Sequence, residues 1–495
     1  MPDTHPLSER IGKVLALQPG ANAVEFEGHW HTWGQLGERA HAIASIAPRH
    51  TASERPQVGV LLRNHPVHVA ALLGVLLSGG CLVTINPARG DDRTRADIAG
   101  LRLPMIIGTP ADLANLAGTE PHTALVSLSG IGDAPEVVAA RHRMPEIEAS
   151  RPGVAVRMMT SGTTGIPKRV DLTYDMLARS LFGAKHYESS APTDLKIRSG
   201  VAIVNSPLVH IGGVFRVLQC VTDARSFVLL ERFDVNRWAD AVRRYRPRAA
   251  SLVPTALRMV LHADLPPGDL ASIKAVVSGT APLSPDDADA FTEKYGIPVL
   301  TSYAATEFGG GVAGWTLADH HRYWRSKRGS VGRPHPDSQL RVVDDQGLPL
   351  GSDQVGLLEV KPGQLGPSAD WIRTTDLARI DSDGFVWIIG RADQAIIRGG
   401  FKIMPDDVRA ALESHPAVAG AAVIATKDDR LGETPAAVVE LRALASVTVD
   451  DIVEFLRGRL ARYEIPTHVR IVREIPRTPS GKPDLTEIRR LVDAK

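Results

Sequence analysis

Thr160-Ser161-Gly162-Thr163-Thr164-Gly165-Ile166-Pro167-Lys168 packs hydroxyl side chains, glycines and one lysine into nine residues. Small residues leave backbone N–H groups open to an anion, and the lysine adds a mobile positive charge, so the stretch suits a polyphosphate. It is not the P-loop of nucleotide hydrolases, which needs four residues between its glycines and a Gly-Lys-Ser/Thr ending. Ser, Thr and Gly are also common turn residues, so the rest of the chain has to decide between a turn and a site.

Four further segments follow in order. They are Pro207-Leu208-Val209-His210-Ile211-Gly212-Gly213, then Tyr303-Ala304-Ala305-Thr306-Glu307, then Thr374-Thr375-Asp376 with Gly390-Arg391-Ala392-Asp393, then Pro476-Arg477-Thr478-Pro479-Ser480-Gly481-Lys482. With the loop, they resemble the motifs of the adenylate-forming superfamily: acyl-CoA synthetases, peptide-synthetase adenylation domains and luciferases. The resemblance runs from about residue 10 to the C-terminus.

Composition bounds the reading. A chain of 495 residues is too long for one hydrophobic core. Lys+Arg at 57 against Asp+Glu at 56 leaves a formal charge of +1, so no global field draws in nucleic acid or anionic lipid. Cys81 and Cys220 lie far apart, without metal-ligand or redox spacing. The N-terminus lacks the basic start and apolar run of a secretory signal, and the apolar stretch 69–83 is broken by glycines and falls short of a bilayer span. A cytoplasmic enzyme is the expectation, with a small-molecule carboxylic acid as partner, no nucleic acid, no membrane insertion, and a homodimer left open.

Short apolar runs such as Val58-Gly59-Val60-Leu61-Leu62, Val201-Ala202-Ile203-Val204 and Ala275-Val276-Val277 alternate with helical patterns, which predicts helices layered on largely parallel sheets. Beyond about residue 330 the Gly- and Asp-containing turns at 344–347 and 381–384 predict hairpins and a β-rich subdomain. The end of the chain reads as a compact α/β unit, with Pro405 opening one helix and Thr448 with Asp451 capping another. The fold class is therefore α/β: a large N-terminal domain of layered α/β sheets plus a β-rich subdomain, and a small mobile C-terminal α+β domain. The boundaries are drawn at 1–390 for the N-terminal adenylation domain, 391–393 for a hinge and 394–495 for the C-terminal domain.

The resemblance implies the site residue by residue. Thr160, Ser161, Gly162, Thr163, Thr164, Gly165 and Lys168 would hold ATP phosphates. Ser278, Gly279, Thr280, Ala281 and Pro282 would meet the adenine edge, Tyr303 would stack on its face, Asp376 would accept from the ribose hydroxyls, and Arg391 would support the nucleotide. Glu307 would hold Mg2+ and Thr306 would bond the α-phosphate. Lys482, Thr306, Glu307 and His210 make up the implied catalytic set. The acyl pocket would be lined by His210, Ile211, Val214, Phe215, Ala304, Gly309 and Gly310, with Gly311 beside them. Asp393 matches the hinge, and Gly399, Gly400, Phe401 and Lys402 resemble the loop lining the coenzyme A tunnel, with Arg398 as a further cation there.

Three departures stand out. Arg169 replaces the glycine after the loop lysine, Thr375 the glycine before the ribose aspartate, and Ala304 the glycine after the adenine tyrosine. The methyl of Ala304 would narrow an acyl tunnel. Most pocket candidates are apolar or small, which favours an aryl, alicyclic or medium aliphatic acid. Arg216 interrupts the apolar run, where it would either pair with a second carboxylate on the substrate or, as is more usual, snorkel to the surface. The implied function is ATP-dependent activation of a carboxylic acid to an acyl-adenylate, then transfer to coenzyme A, with ATP, Mg2+ and coenzyme A as cofactors. The alternatives are an enzyme that loads a carrier-protein thiol and a catalytically silent nucleotide- or acyl-binding relative.

Overall fold

The computed structural model describes residues 4–49, 57–118, 123–139, 153–159, 168–183, 195–443, 445–478 and 481–493. The phosphate-loop residues Thr160, Ser161, Gly162, Thr163, Thr164 and Gly165, and Pro479 and Ser480 near the catalytic lysine, lie outside these.

Among the described residues the strands form five sheets. The first has seven strands in the order Glu136–Ala139, Ala124–Ser127, Met105–Gly108, Gln57–Leu61, Cys81–Ile85, Val154–Met159 and Arg169–Thr173. Its central strands are parallel and its two edge strands antiparallel. The helix Pro66–Leu77, almost wholly apolar, is buried between this sheet and the helix Trp33–Ile46. Gly74 permits that contact, since a Cβ there would stand 2.6 Å from the Ala40 carbonyl oxygen. The expected glycine stop is present: Gly79, at φ +69°, ends the helix ahead of the buried strand Cys81–Ile85.

A second sheet joins Arg198–Val204, Arg225–Leu229 and Asn22–Phe26 in parallel, with His29–Thr32 added antiparallel. A third runs Ala249–Ser251, Ala275–Ser278 and Val299–Ala305 in parallel, then Gly310–Gly314 and Arg333–Pro334 antiparallel. The hairpins expected after residue 330 form an antiparallel sheet of Gln339–Val343, Val355–Lys361, Ile372–Ile380 and Val386–Arg391. Thr374-Thr375-Asp376, a turn-like tripeptide when read alone, lies inside one of these strands.

The C-terminal sheet pairs Gly432–Leu441 with Val418–Asp428, Ile396–Arg398 and His468–Val472. The helices Pro405–Glu413 and Val449–Arg457 pack on it through Val408, Leu412, Ile452 and Leu456. Thr448 and Asp451 make the anticipated capping box.

This arrangement positions the motifs. The strands ending at Met159, Val204, Ser278 and Ala305, which precede or carry quoted motifs, each have a parallel neighbour. In parallel α/β sheets the carboxyl ends of strands open onto the crevice where ligands bind.

Candidate active site

Asp376 lies directly across from Arg391 in the neighbouring strand. The Tyr303 hydroxyl donates a hydrogen bond to Asp376 Oδ2. Burial raises the Tyr303 pKa, and the Asp376 charge pushes it further in the same direction. Burial also raises Asp376 above its ordinary value, against the opposing effects of the Tyr303 bond and the Arg391 charge. Tyr303 is thus fixed by its hydroxyl at the carboxylate, with its ring tilted against Phe308 at 5.9 Å.

Arg391 is committed to Asp393. Its Nε and Nη2 donate to the two carboxylate oxygens of Asp393 at 2.9 and 2.7 Å. A bidentate guanidinium–carboxylate pair fixes orientation as well as distance. The pair straddles a short 3-10 turn, Ala392–Gln394, that leads into the C-terminal sheet.

Lys482, on the C-terminal unit, is largely buried within charge range of Arg391, Glu307 and Asp376. Burial lowers its pKa and the Arg391 charge lowers it further, while Glu307 and Asp376 raise it. The loop carrying it is closed by Thr478 N–H donating to the Lys482 carbonyl at 2.7 Å and by an isolated bridge between Arg477 and Pro483. Gly481 takes φ +78° to make that turn.

His210, an acyl-pocket candidate, is the N-cap residue of the helix Ile211–Thr222 without a side-chain cap bond. Its pKa is pushed down to about 4, first by burial and then by the Lys482 charge. A neutral imidazole there has its Nε2 buried with no hydrogen-bond partner among the described residues. Gly213 allows the preceding chain to fold over the helix, because a Cβ would fall 2.1 Å from the Pro207 carbonyl oxygen. Asn64, which no motif flags, holds that chain: it accepts from Leu208 N–H at 2.8 Å and donates to the Ser206 and Leu230 carbonyls at 3.0 and 2.9 Å.

The opposite wall is tight. Ala304 pairs with Gly311 across adjacent strands. A Cβ at Gly310 would stand 3.0 Å from Ser180 Oγ, and one at Gly311 would stand 3.2 Å from His335 Cε1. Gln364, another residue the sequence leaves unmarked, donates to the Gly311 carbonyl at 2.7 Å. Val214 is buried in the main core, and Ile211 and Phe215 pack against it. The adenine-side segment follows the strand Ala275–Ser278, and Thr280 adopts φ +72°, an unusual conformation for a β-branched residue.

Several charged candidates have other work. Arg169 turns into the body of the protein, donating to Asp97 at 2.6 Å and to the Thr84 carbonyl at 2.9 Å. Arg216 bonds Gln219 at 2.6 Å instead of extending to solvent alone. Arg398 donates to the Tyr463 carbonyl at 2.6 Å and so anchors its hairpin. The turn of that hairpin is Gly399-Gly400 with both φ values positive, the geometry of a two-residue β-hairpin. Phe401 beside it is 55% exposed and stacks on Tyr463 at 4.4 Å, and Lys402 is exposed.

No group of three or more metal-ligating side chains occurs among the described residues. Glu307, exposed on the short turn Thr306–Phe308, offers one carboxylate. That suits Mg2+, which is commonly held by one or two carboxylates together with substrate phosphates.

The family described as AMP-binding enzyme matches residues 13–366, and the AMP-binding enzyme C-terminal domain matches 407–482. 4-Coumarate–CoA ligase 3 of Oryza sativa subsp. japonica is 30% identical over 482 residues, covering 91% of this chain and 86% of that protein. Indoleacetate–CoA ligase of Aromatoleum aromaticum is 28% identical, covering 99% and 98%. Among solved structures, the amide bond synthetase McbA of Marinactinospora thermotolerans superimposes with a TM-score of 0.80 at 25% identity, covering 98% of this chain and 100% of that one. ATP-bound MatB of Rhodopseudomonas palustris has a TM-score of 0.81 at 23% identity, over 98% and 99%, and shares the fold. With both of its parts matched in order along the chain, this protein belongs to the AMP-binding enzyme family.

Proposed function

We propose that this chain is an AMP-forming carboxylate–CoA ligase, and that its acid is aryl. The observation that carries the reading is the meeting of Lys482 with Glu307, Asp376 and Arg391 in one cleft, with His210 on its acyl side. Activating a carboxylate brings its oxygen to the α-phosphorus of ATP, so two anions have to approach. Lys482 offsets that repulsion, and its charge acts most strongly where water is excluded. Asp376 orients the ribose diol and is itself oriented by Tyr303. Bound Mg2+, held at Glu307, supplies further charge neutralisation at the phosphates.

His210 stays neutral at physiological pH and therefore presents a flat, uncharged wall to the acyl group. The relatives act, by their names, on coumarate, indoleacetate and, for an Amycolatopsis enzyme, ferulate. Aryl acids head the panel for that reason. The hinge is assigned to 391–393 between domains 1–390 and 394–495, coenzyme A to the hairpin at 399–402, and ATP phosphates to the 160–168 loop. No described helix is long and apolar enough to cross a membrane. The reading places the enzyme in the cytoplasm, with a homodimer as the assembly to be checked by sedimentation.

The test is ATP–pyrophosphate exchange and thioester formation across a panel of aryl, alicyclic and aliphatic acids, with free coenzyme A and a pantetheinylated carrier protein as competing acceptors. Exchange that depends on an aryl acid, with thioester on coenzyme A, supports the reading. Exchange only with aliphatic acids, or transfer only to the carrier, overturns the corresponding part.

A further inference from the structure

The placement of Lys482 depends on how the C-terminal unit sits against the body, and the helix Pro254–His262 carries a cluster of contacts across that junction, beside the Arg93–Glu487 pair at 3.8 Å. The helix Pro254–His262 presents Thr255 and Arg258, three residues apart and so on one face. The Thr255 hydroxyl donates to the Gly481 carbonyl at 3.4 Å and lies 3.4 Å from Arg477 Nη1. Gly481 immediately precedes Lys482. One turn further along, Arg258 donates through Nη2 and Nη1 to both oxygens of Glu413 at 2.8 and 3.2 Å.

This second contact is built to a single geometry. Arg258 Nε is held by Asp287 at 2.6 Å, so the fork is aimed from the body side. Glu413 is held from the other side by Arg409 at 2.7 Å, and it accepts from Ala421 N–H at 3.4 Å. The Arg258 side chain is 13% exposed and that of Glu413 only 9%. A fork–fork ion pair shielded from water fixes both distance and angle, which a solvated surface pair does not. Arg442 and His262 also lie within charge range of Arg258 and Asp287, and Arg442 Nε donates to the Pro416 carbonyl at 2.9 Å.

We propose that Arg258 is a positioning residue for the adenylation step: its pair with Glu413 clamps the C-terminal unit in the orientation that delivers Lys482 to the cleft. It touches no substrate and acts through Gly481 and Lys482. The proposal rests on the adenylation reading above. Transfer of an already formed acyl-adenylate to a thiol does not use Lys482 and so does not need the clamp.

The experiment compares Arg258→Ala, the near-isosteric Glu413→Gln and the double variant, after equal melting temperatures have been verified. ATP–pyrophosphate exchange should fall at least about tenfold in each single variant, and the double variant should be no worse than the singles, as for two partners in one interaction. Thioester formation from supplied acyl-adenylate should be unchanged or faster. A fluorescent donor on the body and an acceptor on the C-terminal unit should show, without turnover, loss of the close population. Unchanged exchange, an equal fall in both half-reactions, or multiplicative effects in the double variant would overturn the clamp, as would an unshifted donor–acceptor distance. Absence of exchange in the wild-type enzyme with any acid would count against the adenylation reading, whereas the distance measurement judges the clamp separately.

Discussion

Asp376 and Arg391 are direct partners across neighbouring antiparallel strands, and each is tied at its far side to a different part of the molecule. Asp376 takes the Tyr303 hydroxyl, while Arg391 grips Asp393 in the turn that enters the C-terminal sheet. The candidate ribose carboxylate therefore lies across one strand pair from the residue that leads into the candidate hinge turn.

Lys482→Ala should cut the rate of adenylate formation by about 100- to 1,000-fold, the scale for removing one preorganised charge from a developing anion. Thioester formation from supplied acyl-adenylate should stay near the wild-type rate. The measurement is the ratio of the two half-reactions, and a variant equally slow in both would contradict the assignment of Lys482 to the first step alone.

Asp393→Pro fixes φ inside the turn Ala392–Gln394 and removes the Arg391 partner. Pyrophosphate exchange should survive, with thioester output down at least about tenfold if the motion between steps is blocked there. Asp393→Asn, which keeps one acceptor and a free φ, separates the two effects and should stay within about threefold of wild type in both half-reactions. Normal rates in the proline variant would place the hinge elsewhere.

Ala304 faces a run of glycines, with Gly311 as its cross-strand partner. Ala304→Gly should lengthen the tolerated acid by a few carbons and Ala304→Trp should shorten it while sparing ATP binding. Each excluded methylene should be worth about 1–3 kcal/mol in the ratio of kcat/KM values. A profile over a homologous acid series that is identical in all three proteins would mean the acyl group does not approach position 304.

His210 titrates near pH 4 in the folded protein, below the ordinary histidine value of 6.5, with burial the larger cause and Lys482 the smaller. The sign follows. The unfolded chain binds the extra proton between pH 6.5 and about 4 and the folded chain does not, so His210 costs stability as pH falls through that window. His210→Asn should flatten part of the acid-side decline in Tm. Lys482→Met should move the ring's titration upward, yet not to 6.5, because burial is untouched; NMR of the imidazole resonances reads this directly. A titration unmoved by Lys482→Met would mean that the lysine does not approach the ring.

Much of the fold was legible because it is written in local periodicity. The helix, glycine stop and strand around residues 66–85 need only an apolar run and one residue able to take positive φ. The helix at 449–457 needs only its capping pair. The site motifs were legible for a related reason: phosphate, ribose and carboxylate chemistry demands particular side chains at close spacing, and those leave a mark in order along the chain.

Other assignments could not be made that way. Asn64 and Gln364 carry no motif, since their function is to hold a backbone 144 residues away and one 53 residues away. Arg398 read as a further cation at the candidate coenzyme A loop, and packing gave it the Tyr463 carbonyl as partner; the partners of Arg169 and Arg216, Asp97 and Gln219, left no mark in the sequence either. The amino-acid sequence by itself determined the family and the layered α/β class and put forward the candidate reactive groups, because these depend on residue type and near-neighbour spacing. Only the tertiary structure decided that Lys482 comes within charge range of Asp376 and Glu307, that burial lowers the His210 pKa, and that Arg258 meets Glu413 155 residues along the chain. Charge, burial and ion pairing are set by distance through space, and that distance exists only once the chain has folded.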